Sequence, residues 1–293
     1  MLPEPRKIRI TTEGPVLAAT LQTAAGRPRA ILVLHGATGV PQTYYRHFAA
    51  WCAEQGVSVL TYDYRDFGQS LAGPMKASRA TFADWAVRDQ AAAEAAAADL
   101  APDLPIWVLG HSLGGLGVPF HIHGPRVERI TTIGAGMGHY SDHPWSYRPK
   151  ALAFWFLVGP VATALAGYLP GRRLMLGADL PAGVYWQWRR WCTSREFHAG
   201  DIGHLLPEPG YDLGGIRLTM LAPEDDVVVP PVAVDRYASA FAASEPTVVR
   251  LRPEDYGLAG IGHIQALSPS RKVLWPDILG LSDTASAGMR AAQ

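Results

Sequence analysis

Cysteine is nearly absent: 293 residues carry two, Cys52 and Cys192, far apart and at no spacing typical of a metal or dithiol site. That scarcity fits a reducing, cytoplasmic setting and leaves room for a single disulfide at most. Charge of one sign is lacking as well. With 26 basic and 26 acidic residues the formal charge is zero, so no net field draws the chain to nucleic acid or to an anionic membrane. The opening stretch, MLPEPRKIRITTEG, holds no apolar core segment, so a secretory signal is not expected. No repeat period is visible.

What is present reads as globular. A chain that is 48% hydrophobic and 18% charged can bury a sizeable core as one large domain, or as a domain with an inserted cap. One stretch challenges a purely soluble reading: ALAFWFLVGPVATALAGYLP, 151–170, has the length and apolarity of a membrane span, with Lys150 before it and Arg172 and Arg173 after. Gly159 and Pro160 interrupt it in the middle. The expectation is therefore no stable transmembrane segment but a cap of two short apolar helices, one that can also touch a membrane surface.

Elsewhere strands and helices alternate. ILVLH (31–35), VSVLTYD (57–63), PIWVLG (105–110), VERITTIGA (127–135), IRLTMLAP (216–223) and TVVRL (247–251) are short apolar runs suited to strands covered on both faces. Between the first two, PQTYYRHFAAWCAEQG has the period of a helix ending at Gly56, and Ser78 or Thr81 can cap the alanine-rich helix that follows Phe82. This order predicts an α/β fold with a mostly parallel central sheet flanked by helices. The alternation stops between 138 and 214, a segment crowded with aromatics such as Trp145, Trp155, Tyr185 and Trp191. The reading is a core of 1–137 and 215–293 with an inserted helical lid at 138–214, lying over the carboxyl ends of the strands, where such folds bind ligands. Under the plainer alternative these aromatics are ordinary core.

Chemistry concentrates at Gly110-His111-Ser112-Leu113-Gly114. G-x-S-x-G between a strand and a small-residue stretch fits a nucleophile elbow, in which flanking glycines admit a tight strained turn that exposes the serine hydroxyl. The same turn aims the Leu113 backbone N–H at the oxygen that becomes negative during attack. A serine needs an imidazole to take its proton and a carboxylate to orient that imidazole. Both types occur at strand ends: the acids of EDDVVVPP (224–231) after IRLTMLAP, and His263 in GLAGIGHIQAL after TVVRL.

These stretches, with HGATGVPQTYYRHFA and TYDYRDFGQS, resemble the α/β-hydrolase superfamily, within it the bacterial predicted serine hydrolases of the serine aminopeptidase and lysophospholipase-like branch, over nearly the whole chain. The resemblance implies Ser112 as nucleophile, His263 as general base and an aspartate of the 224–226 cluster as orienting acid. Its Asp-x-x-Val-Pro pattern points to Asp226, with Asp225 as the rival and Asp142, after the 127–135 strand, as a further alternative. The His35-Gly36 turn implies the Ala37 N–H as second oxyanion donor, with Thr38 as a variant. The implied activity is hydrolysis of a carboxylic ester with a hydrophobic acyl or aromatic group through an acyl-serine, without a cofactor or metal. Acyl transfer by the same triad, or a non-catalytic module holding a hydrophobic ligand or protein, are the alternatives.

The remaining polar residues read as support. His35 supports the oxyanion loop and His111 lines the pocket floor, while Asp63 and Asp66 accept backbone or Arg65 hydrogen bonds. His121 and His123 form an H-x-H pair near His139 but show no carboxylate or cysteine at companion spacing, which speaks against a metal. His198 and His204 read as surface or hinge residues. The tail SDTASAGMRAAQ is expected to fray.

Overall fold

The structure, a computed structural model, describes residues 2–281. The expected fraying tail lies outside these residues. In chain order the strands are β1 (Arg6–Ile10), β2 (Leu17–Gln22), β3 (Ala30–His35), β4 (Val57–Tyr62), β5 (Ile106–His111), β6 (Val127–Ile133), the two-residue β7 (Tyr168–Leu169) and β8 (Leu180–Pro181), then β9 (Arg217–Pro223) and β10 (Thr247–Leu251). All but β7 and β8 form one sheet in the order β1-β2-β4-β3-β5-β6-β9-β10. From β4 to β10 every neighbouring pair is parallel, and β1 and β2 add an antiparallel edge. The edge hairpin was not anticipated from sequence. RKIRI is mostly exposed and LAATLQ is built of small residues, so neither carries the aliphatic signal of a central strand.

Eight α-helical segments accompany the strands: α1 (Arg46–Glu54), α2 (Gln90–Leu100), α3 (Leu113–Leu116), α4 (Arg148–Ala153), α5 (Gly159–Ala166), α6 (Ala182–Thr193), α7 (Pro231–Ala240) and α8 (Trp275–Ile278), counted among the described residues. Of the two cap candidates before Phe82, the structure uses Thr81. Its Oγ1 accepts from the Asp84 N–H at 3.1 Å and its own N–H donates to Asp84 Oδ2 at 2.9 Å. Ser78 instead donates to Asp66.

Alternation along the strands splits the core between the two faces of the sheet. Ile31, Val33 and Val108 pack on one face with Phe82 and Trp85, whereas Leu32, Leu34 and Leu109 pack on the other with Phe48, Trp51 and Trp275. Both cysteines are free, and Cys52 is buried in the second of these clusters. The parallel registers pair His35 with Gly110, His111 with Ile133, Ile133 with Leu221, and Leu251 with Pro223. Those pairings bring the loops after β3, β5, β6, β9 and β10 to one rim, and β3 sits between β4 and β5, where the strand order reverses.

The insertion between β6 and β9 is mainly helical. Its aromatics divide: Trp155, Tyr185 and Trp191 are buried in the same cluster as Phe82 and Trp85, while Trp145, Phe156 and Trp186 face outward. Gln187 on α6 ties this segment to the core by accepting the Ala83 N–H at 2.8 Å while donating to Asp201 at 2.7 Å. The expected pair of short helices is corrected. Arg148–Ala166 runs as one helix, the one among the described residues that is long and apolar enough to cross a membrane by length and composition. Pro160 does not break it because the preceding turn, Phe154–Val158, is π-helical and the Gly159 N–H reaches back to the Phe154 carbonyl, accommodating a residue that has no N–H to give.

Trp85 anchors the seam between the insertion and the sheet. It is fully buried, stacks on Tyr64 at 4.9 Å and donates its indole N–H to the Arg65 carbonyl. Trp85→Ala should destabilise the fold by about 3–5 kcal/mol. Urea unfolding followed by tryptophan fluorescence and circular dichroism checks this; a loss below 1 kcal/mol would contradict the packing.

Candidate active site

The chain reverses sharply after β5. Ser112 holds φ 54° and ψ −116°, a region that a side chain rarely occupies, and its N–H is fixed to the Ile133 carbonyl at 2.9 Å. Gly114 is required by close approach: a Cβ there would lie 2.0 Å from the His35 carbonyl oxygen. The elbow is thereby pressed against the end of β3, and Ser112 stands half-buried at the rim. α3 is short, giving way to a 3-10 turn at Val118–Phe120 where Pro119 follows.

His263 and Asp226 meet this serine. His263 Nε2 is 2.9 Å from Ser112 Oγ and Nδ1 is 2.7 Å from Asp226 Oδ2. Asp226 Oδ1 accepts the N–H groups of Val228 and Val229 at 2.8 and 2.9 Å, so the carboxylate is held from behind while its second oxygen faces the imidazole. Gly134, with φ +58°, leaves room for this pair, since a Cβ would sit 3.0 Å from His263 Nδ1. The rival acids lie elsewhere. Asp225 accepts the Ile261 N–H at 2.8 Å and that of Gly262 at 3.1 Å, clamping the loop that carries His263. Asp142 pairs with Arg236 at 2.8 Å and accepts the His139 N–H.

The oxyanion expectation needs correction at one donor. The Ala37 N–H donates to Tyr45 Oη at 2.8 Å, so it is taken up within the protein. Among the described hydrogen bonds none engages the N–H of Leu113 or of Thr38, the variant position. Tyr45 Oη also lies 3.0 Å from His111 Nδ1, and His111 Nε2 lies 3.0 Å from the His263 carbonyl. A carbonyl only accepts, so His111 carries its proton on Nε2 and takes the Tyr45 hydroxyl proton on Nδ1. Burial pushes the His111 pKa down to about 3, keeping the ring neutral. The chain Ala37–Tyr45–His111–His263 thus links the His35–Thr38 turn to the backbone of His263. His111 is a buried strut rather than a pocket floor, and no sequence spacing announces its partner Tyr45.

A second polar cluster braces the same strand end. Glu94 of α2 is buried and receives His35 Nε2 at 3.3 Å, His121 Nε2 at 3.0 Å and His123 Nδ1 at 2.9 Å. The H-x-H pair therefore has a carboxylate after all, brought from α2, while His139 is elsewhere. The ligand atoms of Glu94, His121 and His123 lie within 4.8 Å of one another, close enough to share a cation. His123 Nε2 faces the Val118 carbonyl at 3.1 Å, so both of its nitrogens donate and the ring is an imidazolium. Burial opposes that charge, but the hydrogen bond to Glu94 outweighs it and the His123 pKa is raised. Burial likewise opposes the Glu94 carboxylate, and its three histidine partners hold its pKa well below the ordinary value.

Two smaller expectations have different outcomes. Asp63 accepts the backbone N–H groups of Gln42 and Gln69, as expected, while Arg65 pairs with Asp89 of the helix that precedes α2 at 2.7 Å. His198 is not at the surface: it is buried beside Phe120, Trp191 and Phe197, and burial lowers its pKa to about 4. His204 is exposed as expected.

Comparison with known proteins agrees with this architecture. The model of the serine aminopeptidase (S33) family matches residues 26–136, a span that contains the His35–Thr38 turn and Ser112 but ends before Asp226 and His263. An α/β serine hydrolase without lid from Xanthomonas campestris superposes with TM-score 0.55 at 12% identity, covering 95% of this chain and 94% of that one. A thermostable carboxyl esterase from Bacillus coagulans gives 0.54 at 14% identity, over 85% and 89% of the two chains. A bacterial membrane phospholipase A gives 0.58 at 16% identity, over 94% and 86%. At these identities the likeness is one of fold. No curated protein matches the sequence.

The Glu94–His123 pair yields a pH prediction. Its contribution is present above the ordinary glutamate value of 4.5 and below the ordinary histidine value of 6.5, and is lost as pH rises through the raised His123 pKa or falls through the lowered Glu94 pKa. His123→Gln should cost about 3 kcal/mol between those limits, with the gap to wild type closing at alkaline pH. Urea unfolding across a pH series measures it; a gap that widens toward high pH would contradict the assignment.

Proposed function

We propose that this α/β hydrolase cleaves carboxylic esters of hydrophobic acids through an acyl-serine intermediate. The observation that carries the reading is the continuous contact from Ser112 Oγ to His263 Nε2 at 2.9 Å and from His263 Nδ1 to Asp226 at 2.7 Å, at the carboxyl rim of a parallel sheet. His263 takes the Ser112 proton as Oγ attacks the ester carbonyl, and Asp226 stabilises the resulting imidazolium. The Leu113 N–H supplies one oxyanion contact. Because Ala37 is bound to Tyr45, the second falls to the Thr38 N–H. Collapse expels the alcohol with the proton from His263; water, deprotonated by the same ring, then releases the carboxylic acid and restores Ser112.

A hydrophobic substrate is supported by the insertion between β6 and β9, which acts as the lid. It is fastened on both sides of Ser112: the Ala178 N–H donates to the Gly39 carbonyl of the oxyanion loop at 2.9 Å, and His143 Nδ1 donates to the Val227 carbonyl of the acid loop at 2.8 Å. An aromatic, aliphatic segment held there favours apolar acyl groups at about 0.8 kcal/mol per buried methylene. The fold neighbours named a carboxyl esterase and a membrane phospholipase A are consistent with ester chemistry.

Steady-state hydrolysis of p-nitrophenyl esters from acetate to laurate tests the proposal. Ser112→Ala and His263→Ala should each lower kcat by roughly 10⁴-fold or more, and Asp226→Asn by a similar factor. Asp225→Ala should cost less, because it positions His263 only through the Ile261 and Gly262 backbone. Catalytic efficiency should rise with acyl length. Turnover that survives in folded Ser112→Ala would remove the serine mechanism.

A further inference from the structure

The helix Arg148–Ala166 has two unlike faces. Ala151, Trp155, Gly159 and Thr163 turn inward and are buried, and the carbonyl of Trp155 accepts from Arg189 on α6. Outward, Phe156, Leu157, Val161 and Leu165 are 48, 63, 50 and 84% exposed. The 18-residue window has mean hydropathy 1.4 and is only 22% buried. Trp145 just before the helix and Met175 beyond it are exposed further still, at 79 and 93%. An apolar face of this length on a monomer's surface marks something that it contacts.

Charge identifies the contact. From His143 to Ala178 the sequence holds no aspartate or glutamate, yet it carries Arg148, Lys150, Arg172 and Arg173. The zero net charge of the chain conceals this local excess. Lys150, Arg172 and Arg173 are exposed and form no ion pair among the described residues. Apolar side chains bordered by unpaired cations, with no acid between them, complement a surface that is anionic above and hydrocarbon below. A second copy fits poorly. Two-fold packing through this face would set the same cations against each other, and the acid next along the chain, Asp179, is turned to the Arg172 backbone N–H at 3.1 Å. Crossing the bilayer is opposed by the inward face, which is built into the core, and by the two ends of the insertion, which return to β6 and β9, neighbours in one sheet.

We infer that the outer face of this helix, with Trp145, Met175 and the flanking cations, docks the protein in the plane of an anionic lipid bilayer. The docked surface lies next to the catalytic rim, because the segment that carries Met175 continues to Ala178, which is hydrogen-bonded to the oxyanion loop at Gly39. An apolar ester dissolved in the membrane would then meet the site from the lipid side. That last step rests on the ester reading above; docking itself does not.

Co-sedimentation with vesicles of phosphatidylcholine alone and of phosphatidylcholine with phosphatidylglycerol at 3:1 tests the inference, with light scattering for oligomeric state and thermal melting as the folding control. Wild type and Ser112→Ala should bind the anionic vesicles equally, which separates docking from catalysis. Leu157→Asp/Leu165→Asp and, independently, Arg172→Glu/Arg173→Glu should each lower the partition coefficient at least tenfold while melting like wild type, and high salt should weaken binding. Absence of wild-type binding to anionic vesicles, or binding that both folded variants retain, would overturn the inference. So would a stable dimer that Leu157→Asp/Leu165→Asp converts to monomer, since a second copy would then be the occupant.

Discussion

The close approach of Gly114 to the carbonyl of His35 sets the site's geometry. With no side chain between them, the turn after β5 rests directly on the end of β3, bringing the strained Ser112 and the turn at His35–Thr38 side by side. A Cβ at 114 would force the two apart by more than an ångström. The parallel register extends this alignment to the loops after β9 and β10, which deliver Asp226 and His263 to the same height. Other contacts hold that arrangement in place: Asp225 clamps the loop that carries His263, Gly134 makes space for His263 and Asp226, and the Tyr45–His111 pair joins the His35–Thr38 turn to the backbone of His263.

Much of this was legible in the sequence because it depends on local signals. The aliphatic runs of β3, β4, β5, β6, β9 and β10 are covered on both faces, and a glycine-bracketed serine has few other uses at a strand end. Asp226 and His263 could be proposed because they follow such runs. What escaped was set by tertiary packing. Tyr45 is a helix-flanking tyrosine in the sequence and only the fold places its hydroxyl against Ala37 and His111, so the choice between Ala37 and Thr38 could not be read from spacing. Glu94 lies among alanines, and nothing in its neighbourhood announces that it will collect three histidines from two other segments. The β1–β2 hairpin lacked a strand signal because β1 is an exposed edge and β2, though largely buried, is built mostly of small residues.

The cap shows how a rule about a residue type yields to its context. Proline at 160 predicted a break, and the π turn before it removed the need for a donor there. Net charge misled in a similar way, since a balanced total says nothing about a 143–178 segment that has cations and no acids. The inward side of the 138–214 insertion shares its aromatic core with the sheet, so the insertion is part of the folded body rather than a loose flap. Its outward side remains apolar, and the two hydrogen bonds at Gly39 and Val227 connect it to the loops around Ser112.

The central claim is that Ser112 is activated by His263 and Asp226. Treating the protein with a fluorophosphonate and mapping the adduct by peptide mass spectrometry tests it most directly. The account predicts a single stoichiometric adduct on Ser112, formed rapidly in the wild type and at least a hundredfold more slowly when His263 is replaced by alanine. Absence of a Ser112 adduct in folded protein, or labelling that is indifferent to His263, would contradict it.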